Sequence, residues 1–232
     1  MTGVQTCALP IFTYWTDGKE NRIIYVTPGY QMVALDAKTG VPVKSFGKDG
    51  VVDLKEQDDQ PMDLVTGEVG LHSAPIVVND VVVIGAAHLA GSVPKSKINQ
   101  KGYVRGFDAR TGRRLWIFHT IPRPGEFGND TWEGDSWSYT GNTGSWAQMS
   151  ADPELGLVYL PIELPTGDYY GGHRHGNGLF GESIVAVDVK TGIRKWHYQL
   201  VHHGIWDMDI PCAPIVADIT VNGKLIKAVA QP

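Results

Sequence analysis

Two cysteines among 232 residues, Cys7 and Cys212, set no disulfide framework. Cys212 follows a proline at the head of an apolar run, so a buried, inert thiol is expected there. No hydrophobic stretch approaches the ~20 residues that a membrane-spanning helix needs. Positive charge is also scarce: 20 Lys and Arg stand against 25 Asp and Glu, a net charge of -5. That balance leaves no basic stripe to replace phosphate counterions and excludes a nucleic-acid partner. With 42% hydrophobic and 19% charged residues, the composition is that of a folded globular chain. What is plentiful is glycine, at 28, and tryptophan, at 7. Glycines and aromatics among short apolar runs point to an all-β protein with many tight turns.

The opening segment, MTGVQTCALPIF, lacks the basic start and the apolar length of a secretion signal. It also fits none of the patterns that follow. Residues 1–13 therefore read as a non-native leader, and residues 14–232 as the domain.

Three stretches repeat one design. VALDAKTGVPVKSF starts at Val33, RGFDARTGRRLWIF at Arg105 and VAVDVKTGIRKWHY at Val185. Each is a β-rich run, an Asp, a Thr-Gly pair and a second β-rich run. This is hairpin chemistry: the Asp carboxylate bonds backbone amides in the turn, and Gly takes the positive φ. Trp116 and Trp196 lie at equal distances after their glycines and are expected to pack between neighbouring sheets. The first copy has Lys44 at that point, with Phe46 close by.

A strand–turn–strand pattern accompanies these hairpins, at residues 72–87, 145–163 and 212–230. The unit is thus four antiparallel strands. Copies start about 70 residues apart, longer than the ~40 to 50 of minimal propeller repeats. The excess lies in two loops, 88–101 and 120–144, rich in Gly, Pro, Asn and Ser. Four-stranded units with tryptophans between them imply a β-propeller. The count is half a unit (22–46), two full units (72–119 and 145–200) and half a unit (212–230). About three blades are fewer than the roughly four that closure needs, so a partial propeller from a longer protein is expected.

One stretch carries chemistry of its own. VHHGIWDMDIPCAP, residues 201–214, sets two histidines before Trp206 and places Asp207 and Asp209 on alternate positions. If the stretch is a strand, the two acids share one side. They are either solvated turn residues or groups facing a pocket.

Taken together, RIIYVTPGYQMVALDAKTG, FGKDGVVDL, GNTGSWAQMSADPELGLVYLP and WHYQLVHHGIWDMDIP resemble the quinoprotein dehydrogenases, which use pyrroloquinoline quinone (PQQ). The paired histidines before Trp-Asp are more similar to the glucose and polyol/quinate branch than to the methanol branch. The resemblance implies an eight-bladed propeller with the quinone near its axis. It implies calcium, or a lanthanide, as the metal. It implies oxidation of an alcohol, polyol or sugar hydroxyl, with electrons passing to a cytochrome or to ubiquinone. A periplasmic location follows from it, with a membrane anchor in a further N-terminal segment left open.

The same resemblance assigns roles. Asp207 matches the general base that takes the hydroxyl proton. Trp146, in GNTGSWAQM, matches the tryptophan that stacks on the quinone, in the strand nearest the axis. Thr143 falls in the same stretch, among the cofactor contacts. Asp207, Asp209 and Glu163 are the metal candidates, since hard cations take carboxylate oxygens. Arg105 reads equally as a bidentate partner for a quinone carboxylate and as an outward strand charge. His202 and His203 stand beside the base as substrate contacts. His173 and His175 form an HxH pair that is weak metal evidence alone. Residues 167–183 read as a flexible loop at the entrance, and 127–137 as either a lid or a solvated loop.

Two positions depart from the pattern. Leu164 stands where relatives carry a metal-binding Asn, with Glu163 just before it, and His88 falls where the methanol branch has an acid. These departures support an alternative: a non-catalytic propeller scaffold that has lost the cofactor.

Overall fold

The computed structural model describes residues 12–71, 73–88, 96–167 and 169–232, with His88 as backbone alone. Cys7 and most of the 1–13 segment therefore lie outside the described residues. Three four-stranded antiparallel sheets follow one another along the chain. The first joins β1 (Phe12–Thr16), β2 (Asn21–Val26), β3 (Gln31–Asp36) and β4 (Val51–Asp53) in that order. A short pair, β5 (Val69–Gly70) with β8 (Ala87–His88), lies beside the second sheet. That sheet orders β6 (Ile76–Val78), β7 (Val81–Ile84), β9 (Val104–Asp108) and β10 (Arg114–Phe118). The third orders β11 (Ser150–Asp152), β12 (Leu157–Ile162), β13 (Ser183–Asp188) and β14 (Arg194–Gln199). A hairpin of β15 (Ile215–Val221) and β16 (Lys224–Ala230) forms a separate two-stranded sheet.

The first strands of successive sheets touch one another: β1 meets β6, β6 meets β11, and β11 meets β15. They form the inner wall of a fan, which is how propeller blades sit about an axis. The first sheet is a full unit and not the half expected. It adds β4 after the expected half and β1 before it; β1 pairs Phe12 with Tyr25, so Phe12 and Thr13 belong to the sheet. A second correction concerns Cys212, which is exposed: it lies in the irregular approach to β15, not in a buried strand.

β7 shows why the sheets stack. Its sequence is Val-Val-Val-Ile, β-branched throughout and buried at every position. Side chains alternate across a strand. Val82 and Ile84 enter a core shared with Ile24, Met32 and Phe46 of the first sheet. Val81 and Val83 enter another, shared with Val158, Leu160 and Val185 of the third. A strand buried on both faces contributes roughly 1.5–3 kcal/mol per side chain, and both neighbouring sheets are needed to obtain it.

The repeated turns are alike in detail. The Oδ1 of Asp36, Asp108 and Asp188 accepts from the amides two and three residues on and from the Thr hydroxyl, all at 2.7–3.1 Å. A register shift just past the second turn, between Arg114 and Trp116, re-aims the strand. Trp116 is buried against the third sheet, and its Nε1 donates to the Val189 carbonyl at 2.8 Å. The turn must come this close: a Cβ on Gly192 would lie 2.7 Å from the Trp116 ring. In the first copy Phe46, fully buried, fills the same place against the second sheet's turn, and the Gly47 amide bonds Thr111 O at 2.8 Å. Trp196 departs from the expectation for a docking residue. It remains 37% exposed and meets Tyr159 of its own sheet.

Candidate functional site

Three irregular segments meet at one end of the fan: 141–149 ahead of β11, 163–182 after β12, and 200–214 ahead of β15. Backbone pairing ties Asn142 to both Lys101 and Pro165. Ser73 Oγ donates to Ala147 O at 3.1 Å, binding the second sheet's approach to the third's. This end also gathers strained backbone. Asn142, Thr143, Glu182, His203 and Asp207 all have φ between +49° and +58°. A β-branched Thr in that region is held there by its surroundings, and such strain clusters at functional sites.

Trp146 is half-buried and lies just ahead of β11, not within a strand as expected. Its Nε1 donates to Asp209 Oδ2 at 3.1 Å, and Asp209 Oδ1 accepts from the Leu164 amide at 3.0 Å. Asp209 thus fixes the indole with its ring N–H satisfied. Glu163, nearly buried, accepts the Gly144 amide at 2.9 Å through Oε1. The structure brings Trp146, Asp209 and Glu163 together around Leu164, whose own side chain is buried.

The stretch 201–214 forms no strand. The left-handed turn at Asp207 breaks the alternation, so the two acids diverge. Asp209 points inward. Asp207 is exposed, with the Tyr169 hydroxyl donating to its Oδ2 at 3.4 Å. The question raised by that stretch thus has a split answer: one acid anchors, the other faces out. The histidines split likewise. His203 Nδ1 donates to Gly176 O at 2.8 Å, while His202 is exposed. Thr143 is fully buried, its hydroxyl turned to Gly141 O at 3.3 Å.

Arg105 is no outward charge. It is wholly buried between the first two sheets. Its Nη1 donates to Leu54 O at 2.6 Å and Gln57 O at 2.9 Å, its Nη2 to the Tyr30 hydroxyl at 2.6 Å, and its Nε lies 3.3 Å from Asp58. Tyr30 passes the contact on to Gly85 O at 3.0 Å. Burial raises the Asp58 carboxyl to about 6 against the pull of Arg105 and Gln60, and lifts the Tyr30 hydroxyl to about 12. This is a structural cluster, with no guanidinium atom at the surface.

The loop read as flexible and the one read as a lid or a solvated loop are tied to each other. Trp132 is buried and its Nε1 donates to Leu179 O at 2.5 Å, while the Glu133 amide bonds His175 O at 3.0 Å. Trp132, Arg174, Leu179 and Phe180 are buried in this contact, while Phe127, Glu133, Tyr169 and Tyr170 remain exposed around it.

Among the described residues, no three His, Cys, Asp or Glu side chains stand close enough to hold a metal. Glu163 and Asp209 each spend oxygens on backbone amides, so these residues do not fit a metal as arranged. For a flat quinone the fit is better: Trp146 presents an indole locked in place by Asp209 and free of an unpaired ring N–H. His88, the other position of interest to a metal, is described only as backbone.

Two features escaped sequence reasoning. One is the Asp209–Trp146 bond, foreshadowed only by the presence of both residues in the resemblance. The other is a buried pair, Glu182 and Arg174, for which the sequence offers no signal.

Solved structures place this fold in one class. The quinohemoprotein alcohol dehydrogenase ADH-IIG of Pseudomonas putida HK5 superposes with a TM-score of 0.72 at 29% identity, over 90% of this chain and 30% of that one. A europium-containing methanol dehydrogenase superposes with a TM-score of 0.72 at 26% identity, over 95% and 37%. The class is the quinoprotein propeller. Residues 5–232 match the family described as PQQ: glucose/ethanol/alcohol dehydrogenase, β-propeller domain, and the chain belongs to that family. It is 36% identical over 215 residues to the quinoprotein glucose dehydrogenase of Escherichia coli (strain K12), covering 91% of this chain and 26% of that protein. It is 33% identical over 236 positions to the glycerol dehydrogenase large subunit of Gluconobacter oxydans (strain 621H), covering 98% and 31%. The chain thus spans between a quarter and a third of the length of these relatives.

Proposed function

We propose that this chain forms part of a PQQ-dependent dehydrogenase that oxidises the CH–OH group of an alcohol, polyol or sugar, with Asp207 as general base. One observation carries the reading: Asp209 bonds Trp146, so the Trp-Asp-Met-Asp segment is tied to the tryptophan expected under the cofactor. PQQ, when bound, accepts the hydride from the carbinol carbon. Trp146 supplies the flat support beneath it, and Asp209 holds that indole in one orientation. Asp207, exposed and two residues away, takes the hydroxyl proton on an Oδ atom, with Tyr169 donating to the same carboxylate. His202, exposed beside this loop, contacts the substrate; His203 shapes the loop through Gly176. Electrons leave to a quinone or a cytochrome, and the protein works in the periplasm.

The test uses the complete protein. PQQ should quench tryptophan fluorescence, Trp146→Ala should remove much of that quenching, and Asp207→Asn should retain it while losing at least a hundredfold in dye-linked turnover. Retained turnover in Asp207→Asn would remove Asp207 as base. No quenching at any PQQ concentration would favour a propeller that has lost its cofactor.

A further inference from the structure

Apart from the bonds of Asp209 to Trp146 and Leu164, the loop that carries Asp207 and Asp209 has little of its own to hold it. Trp206, Asp207 and Met208 are exposed, and no regular pairing runs from 201 to 214. At its root, however, Gly204 is buried and both of its polar backbone atoms are engaged by charged side chains. Its N–H donates to Glu182 Oε2 at 3.0 Å, and its carbonyl accepts from Arg174 Nη2. Glu182 and Arg174 are 2% and 3% exposed. The Arg174 bond is charge-assisted, the stronger kind; burial raises the Glu182 carboxyl to about 7 against the pull of the Gly204 amide and Arg174, so its bond to that amide needs an oxygen there more than a full charge.

Glu182 is itself firmly mounted. It immediately precedes β13. Its amide bonds Glu163 O at 3.3 Å and its carbonyl accepts the Leu200 amide at 2.8 Å. It therefore links the end of β12, the end of β14 and the root of the 204–209 loop. Arg174 also reaches Gly167 O at 3.4 Å, and His203, one residue before Gly204, is tied to Gly176. A Cβ on residue 204 would lie 2.0 Å from a Glu182 carboxylate oxygen, so any larger residue there must push that side chain off the Gly204 amide.

We propose that Glu182 and Arg174 are positioning residues, a two-sided clamp on Gly204 that fixes the 204–209 loop. The use of that clamp in catalysis rests on Asp207 being the base.

The first measurement is amide hydrogen exchange on the complete protein. Glu182→Ala and Arg174→Ala should each speed exchange at residues 204–209 at least tenfold while β12 and β13 keep wild-type rates. Gly204→Ala, which forces the carboxylate aside, should do the same. Glu182→Gln, which keeps an oxygen for the Gly204 amide, should stay within threefold of wild type. Wild-type exchange at 204–209 in both alanine variants would overturn the clamp. So would acceleration spread equally through β12 and β13, since the pair would then serve the whole fold.

The second measurement is steady-state kinetics on the complete protein. Glu182→Ala should lower kcat at least tenfold with KM within twofold, and Glu182→Gln should restore it. A loosened loop with unchanged kcat would leave the clamp standing and remove the base from this loop.

Discussion

The second sheet and the final hairpin are built from similar sequence and end in opposite environments. β7 reads Val-Val-Val-Ile and is buried throughout. β15 reads Ile-Val-Ala-Asp-Ile-Thr-Val and is exposed at almost every position, as is β16. The difference is not propensity, since both runs are β-branched. It is that β7 has a sheet on each face and the hairpin has one neighbour, through β11. A blade of this fold does not own its core; it shares one with each adjoining blade.

The strongest way to break this comparison is to attack the groups that join the sheets. Arg105→Met leaves Asp58 buried without its cation and should cost about 3–5 kcal/mol in denaturant unfolding. Trp116→Ala removes the ring seated on the third sheet's turn and should cost a similar ~3–5 kcal/mol. A loss below 1 kcal/mol in either would show that the sheets are held by something else.

A matched pair sharpens the point. Ile84→Ala and Ile226→Ala are the same chemical change, at a residue with no exposure and at one 43% exposed. The first should cost about 2–5 kcal/mol and the second about 0.5 kcal/mol. Equal costs would mean that the hairpin is covered in solution.

A last effect concerns pH. Burial raises the Asp58 carboxyl to about 6 in the fold, above its ordinary value near 3.8. The folded chain therefore holds this proton more tightly than the unfolded chain. That contribution is fully present below about pH 4 and is lost as pH rises through 6, on the order of 3 kcal/mol. Asp58→Asn should flatten the stability profile across that window. An unchanged slope would assign it to other groups.

Where the sequence was legible, the causes are local. The Asp-Thr-Gly turns could be read because every bond in them spans five residues or fewer. The same turn chemistry recurs at Asp63–Gly67, where Asp63 Oδ1 accepts from Val65 and Thr66 amides, without forming a blade hairpin. The turn alone is thus no proof of a blade. β1 is not legible because FTYWT matches no repeat of the sequence and pairs only once β2 is placed beside it. Arg105 was misread because its partners, Asp58 and Tyr30, lie far upstream. The site was half legible. Trp146 and Asp209 were both singled out, but alternate positions suggest a strand, and only the left-handed turn at Asp207 reveals that the acids diverge.

The Trp116 contact has a consequence in time. Its acceptor, Val189, lies 73 residues further along the chain. A ribosome adding ~5–20 residues per second delivers that carbonyl roughly 4 to 15 seconds after the tryptophan. Until then the indole has no seat and the second sheet has one bare face. The Phe46 seat likewise waits for the turn that holds Thr111. During synthesis each blade is completed by the one after it, so the unfinished protein always carries one open apolar face, and that face moves along the chain as it grows.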